Sequence, residues 1–137
     1  MAEPLGLILL DGTYERVHYG LAMAASALAV NRPAVLFFTN GALLALAGRD
    51  GWHRLGGNAL GQPATAQDSA RVAAGVAGLE ELLEVCAALG GKFFACEMGL
   101  RTMRMQANDL RSDIKIEIAG LVSFYNALPA GAQPSVL

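Results

Sequence analysis

The chain has 137 residues, a formal net charge of -2 and a pI near 5.6, which is the length of one domain. With 54% hydrophobic and 16% charged residues it is no disordered chain, and it carries no basic footprint for nucleic acid or an anionic membrane. Such low charge on so small a domain points to a surface partly buried against another subunit.

Met1-Ala2-Glu3-Pro4 lacks the positive n-region of a signal peptide. The uncharged runs at residues 17–31 and 33–48 are interrupted by polar groups and fall short of the ~20 apolar residues of a spanning helix. The two cysteines, Cys86 and Cys96, form neither a disulfide framework nor a zinc spacing. The expectation is a soluble, cytoplasmic protein with reduced thiols, holding no metal or cofactor and binding neither membrane nor nucleic acid.

Residues 5–10 (LGLILL) read as a strand buried on both faces, closed by Asp11-Gly12-Thr13. Thr13 is a plausible N-cap for a helix over 14–30, in which Val17, Leu21, Ala24 and Leu28 share one face until Asn31-Arg32-Pro33 stops it. Residues 34–39 (AVLFFT) predict a second strand, followed by a turn at Asn40-Gly41 and a short helix over 42–47. The Gly-, Pro- and Asn-containing stretch 48–68 reads as a long flexible loop.

A helix is predicted over 69–89, its stripe made of Val72, Val76, Leu79, Leu83 and Cys86, with Gly90-Gly91 at its end. Then come a third strand at 92–96 (KFFAC), an amphipathic helix over 97–105, an alternating strand at 114–119 and a short helix over 121–128. Residues 129–137 read as a tail or a short edge strand. Strands alternating with helices define an α/β fold, a three-layer α/β/α sandwich around a mostly parallel sheet of about five strands. Chemistry in such folds gathers where the strands end, here at residues 11–14, 40–41, 96–99 and 120.

Cys96 is the sharpest feature on that edge, a thiol at a strand end and a helix start, where the helix dipole favours thiolate. Arg101 and Arg104 are candidates to add positive charge, and Glu97 opposes them. A buried structural role is the alternative. Cys86, on an apolar helical stripe, reads as core. By strand and helix rise it lies beyond the ~7 Å Cα limit for a disulfide with Cys96, so Cys96 lacks a resolving cysteine in its own chain. His18, one turn into the first helix beyond Tyr14, is a candidate base or a packed residue. His53, beside Trp52, is equally open. Asp11-Gly12-Thr13 reads first as an ordinary turn, with anion binding through backbone N–H groups as the alternative. No G-x-G-x-x-G follows the first strand, and neither a phosphate-binding loop nor a G-x-S-x-G elbow occurs.

The order of these pieces is similar to the DsrE/DsrF-like family, the TusBCD/DsrEFH-type sulfur-relay proteins. The pieces are the opening strand with Asp11, Glu15-Arg16 on an Ala-rich helix, VLFFTNG at 35–41, a strand ending in Cys96, and 110–120 leading into a last helix. The resemblance covers nearly the whole chain. It implies a homo-oligomer, trimer or hexamer, and a sulfurtransferase-like role. Cys96 would accept sulfur as a persulfide from a donor protein and pass it to an acceptor thiol, with Arg101, Arg104, His18, Tyr14 and Asp11 as candidate supporting residues. Family members with a purely structural or regulatory role set the alternative, and a peroxiredoxin-like thiol reductase is a third reading. Glu97-Met98-Gly99 departs from the small residues and Ser that commonly follow the family's cysteine.

Overall fold

Three short apolar runs, each too brief for a helix and bounded by turn residues, form the middle of the sheet. They are β1 (Leu5–Leu9), β2 (Ala34–Phe38) and β3 (Lys92–Cys96) in a computed structural model that describes residues 3–137. β4 (Ile116–Ala119) and β5 (Ser135–Val136) complete it in the order β4-β3-β2-β1-β5. Every pairing is parallel, with Leu7 beside Leu36 and Phe37 beside Phe94. The fold is a three-layer α/β sandwich.

The layers follow from handedness. From β1 to β4 the chain steps across the sheet in one direction, so right-handed crossovers place every connection on the same face. α1 (Tyr14–Ala29), α2 (Ala64–Ala73) and α3 (Leu79–Ala88) lie in these connections. They bury Val17, Leu21, Leu79 and Leu83 against Leu7, Leu9, Leu36, Phe38 and Phe93. The return from β4 to the far side of β1 reverses direction, and its helix α5 (Leu121–Asn126) therefore covers the opposite face. That second core is small, with Val35, Phe37, Phe94, Cys96, Ala119, Phe124 and Leu128. Full burial of each such phenylalanine contributes roughly 1.5–3 kcal/mol.

Five expectations need correction. The stretch 48–68 is not a structureless loop: a 3-10 turn at Gly51–Arg54 buries Trp52, Leu55 packs into the main core, and Gly56 bridges Thr13. Its last residues already belong to α2. The single helix over 69–89 is two helices. Gly75 takes φ +81 and ends α2, and Val72 and Val76 stand exposed because the chain turns away from the core there. The short helix at 42–47 is a 3-10 helix over Asn40–Leu46. β4 begins at Ile116 rather than 114, because Ile114 leaves the ladder while remaining buried under the main core.

α4 (Glu97–Thr102) is shorter than the pattern suggested. The chain leaves it through Arg104 at φ +55, a left-handed conformation that L residues other than Asn and Asp seldom adopt. Among the described residues, no helix is long and apolar enough to cross a membrane.

Candidate functional site

Cys96 ends β3 and is at once the N-cap of α4. An N-cap side chain normally supplies an oxygen to a free N–H of the first turn. Here the acceptor is sulfur: the Gly99 N–H donates to Cys96 Sγ at 3.3 Å. Gly99 is required because α4 is pressed against the end of β2. A Cβ at Gly99 would sit 2.6 Å from Thr39 Oγ1 and 2.9 Å from the Asn40 nitrogen. Cys96 is 3% exposed and belongs to the small core under α5, with Ala119 beside it in β4. On the helices that flank the thiol, Met98 of α4 and Leu121, Val122 and Tyr125 of α5 are exposed.

The candidate supporting residues stand apart from the sulfur. Arg101 reaches back one turn to Glu97 at 3.2 Å, on the exposed side of α4. Arg104 lies past the end of α4 in a hollow with Arg54 and Asp109. Tyr14 and His18 project from α1 on the opposite face of the sheet from Cys96. The fully buried Tyr14 hydroxyl donates to Asp68 Oδ1 at 2.5 Å, and burial together with that carboxylate drives its pKa well above the ordinary phenol range. His18 Nε2 donates to the Ala77 carbonyl at 2.9 Å. Asp11 accepts the Thr13 N–H at 2.8 Å and faces Arg16 at 3.7 Å, and that backbone bond lowers its pKa. None of the five makes a hydrogen bond or ion pair with Cys96. The strand edge gathers Cys96, Thr39, Asn40, Gly99 and Gly120 instead.

Cys86 is core, as its stripe position predicts. Its thiol points at the Leu21 carbonyl at 3.5 Å, and burial pushes its pKa up to about 11. Both cysteines are free thiols. Among the described residues no group of three His, Cys, Asp or Glu side chains could hold a metal.

The strongest polar cluster lies elsewhere and was not legible as a site. Arg111, its side chain wholly enclosed, holds Glu80 through Nη1 and Nη2 at 2.7 and 2.8 Å and Asp113 through Nε at 2.8 Å. Arg49 closes the network from outside, 3.0 Å from Asp113. Hydrogen bonds to Asp113 and Glu80 raise the Arg111 pKa further, and those from Arg111 hold Asp113 down to about 2. Every charge in it is answered from within the chain, so the cluster ties the segment after α4 to α3 and leaves no group free for a substrate.

No protein-family model matches this chain, and no curated protein matches it. Its class is thus defined by architecture: an α/β sandwich carrying a buried N-cap cysteine at the C-terminal end of its third strand.

Proposed function

We propose that the protein is a sulfur carrier in which Cys96 accepts a sulfane sulfur and hands it to a partner thiol. The observation that carries this reading is the Gly99 N–H donated to Cys96 Sγ at the start of α4. In the first step the Cys96 thiolate attacks the outer sulfur of a donor persulfide, R–S–SH. The bond from that sulfur to the donor's inner sulfur breaks, R–S⁻ leaves, and Cys96–S–SH forms. In the second step an acceptor thiolate attacks the outer sulfur and the Cys96 thiolate departs. Both steps transfer sulfur without net oxidation. In each, negative charge arrives at or leaves Cys96 Sγ, and a fixed N–H aimed at that atom stabilises it without reorganisation.

Cys96 lies in the small core covered by α5, a six-residue helix. The burial of Cys96 also favours a second reading, a structural or regulatory subunit with an inert thiol. Intact-protein mass spectrometry after brief exposure to a polysulfide donor separates the two. The carrier reading expects one added sulfur that is removed by dithiothreitol and absent from Cys96→Ser. No addition to the native protein, with both cysteines reacting only after denaturation, establishes the structural reading instead.

A further inference from the structure

The two faces of the sheet are fastened differently. On the face of α1, α2 and α3, polar bonds lock the layer: the Tyr14 hydroxyl holds Asp68, His18 holds the Ala77 carbonyl and Arg111 holds Glu80. On the other face the cover is residues 121–133, which are α5 and the turn after it. Among the described residues, no side-chain hydrogen bond or ion pair involves this segment, and its backbone bonds reach no farther than Gly120. We propose that residues 121–133 are a lid that opens as one unit while the rest of the sandwich stays folded, and that this opening admits reagents to Cys96.

The hold on the lid is apolar and narrow. Phe124 is the one buried residue of α5, and its ring lies 5.3 Å from that of Phe37. Four residues on, Leu128 rests on the bare backbone of β1, where a Cβ at Gly6 would come within 2.7 Å of Leu128 Cδ1. Ala127 and Ala132 add only small side chains to this packing. A helix of six residues does not persist without its packed face, so unseating Phe124 and Leu128 releases the whole segment. Local opening occurs where an element has few buried apolar groups and no bonds tying it to its neighbours. The ends of the lid suit such a motion. A Cβ at Gly120 would meet nothing, and Gly131 takes φ +84. Beyond it, β5 and the Leu137 N–H donated to the Ile8 carbonyl at 2.9 Å keep the C-terminal end on β1.

Cys96 shares the small core with Phe124 and Leu128, so it stays buried only while the lid is seated. Cys86 belongs to the main core on the other face and is released only when that core unfolds. The two thiols therefore report two different openings. That the lid governs sulfur traffic rests on the sulfur-carrier reading; the opening itself does not.

The test is alkylation of the full chain by iodoacetamide across a urea series below the unfolding transition, resolved by peptide. Three results together support the lid. Cys96 reacts faster than Cys86 in the folded protein, and its rate rises less steeply with urea, since less surface is exposed. Phe124→Ala accelerates Cys96 by about tenfold or more, as loss of a buried phenyl ring requires. Val17→Ala, in the main core, accelerates Cys86 and leaves Cys96 within about twofold, the additivity expected of distant sites. Far-UV circular dichroism reports the folding of each variant, and Phe124→Leu replaces Phe124→Ala should that chain not fold. Equal urea slopes for the two cysteines, or Cys96 following Val17→Ala, would show that Cys96 is reached only by global unfolding. A Cys96 rate unmoved by the Phe124 variants would show a route other than the lid. Either result overturns the proposal. Alkylation needs only exposure of the thiol, so a lid that passes this test beside a chain that takes no sulfur from polysulfide would sink the carrier reading alone.

Discussion

Arg111 and Glu80, 31 positions apart in sequence, meet as a two-pronged ion pair whose guanidinium is shut off from solvent. The pair anchors the segment after α4, whose backbone also joins the first half of the chain through the Arg111 N–H to the Leu46 carbonyl at 2.8 Å. Truncating one partner of a buried pair strands the other charge. Glu80→Ala is therefore expected to destabilise the protein by about 3 kcal/mol, the lower end for such losses because Asp113 still answers Arg111. Urea denaturation of the variant beside the wild type measures it, and a change within ~0.5 kcal/mol would show that Asp113 alone suffices.

Asp113 gives this network a pH dependence. Its hydrogen bonds from Arg111 hold the folded pKa near about 2, below the ~3.9 of an unfolded aspartate. A depressed carboxylate stabilises the fold fully above the unfolded value, and its contribution is lost as pH falls through the folded value. The stability difference between wild type and Asp113→Asn should thus be constant above pH ~4 and shrink from there towards pH 2. A difference that stays flat across that window would remove Asp113 from the account.

Gly99→Ala tests the seat of Cys96. The new Cβ would collide with Thr39 Oγ1 and the Asn40 nitrogen, backbone that cannot yield cheaply, and would lift α4 off the end of β2. A loss of about 1–3 kcal/mol is expected, together with slower sulfur loading as the N–H leaves Cys96 Sγ. Loading at the wild-type rate in a folded Gly99→Ala protein would show that this hydrogen bond has no part in the transfer.

The two thiols should separate by reactivity. Cys86, with its pKa pushed up to about 11 inside the main core, is expected to resist alkylation until the protein unfolds. Peptide-resolved labelling across a denaturant series checks this. Native-state labelling of Cys86 at the rate of unfolded chain would mean that the core opens far more readily than its packing implies.

The sequence was most readable where burial is two-sided. β1, β2 and β3 are short, near-continuous apolar runs, and the position of Cys96 at a strand end and helix start followed from them. The α2–α3 break was hidden because Val72 and Val76 continue the helical stripe of Leu79 and Leu83, although Gly75 and Gly78 mark it. Arg111 gave no signal, since an arginine in an aperiodic segment reads as solvated until its partners from α3 are in view. Likewise Arg16, His18 and Arg71 line one hollow from two different helices, a relation no local spacing encodes.

The two-residue strand β5 has a consequence for colloidal behaviour. It pairs only Leu7 and Ile8 of β1, yet it is what stands between that strand's outer edge and solvent. Edge strands of such apolar composition recruit other chains when uncovered. A chain clipped before Ser135 would keep both cores but display the LGLIL edge, and self-association through β1 would be its characteristic failure.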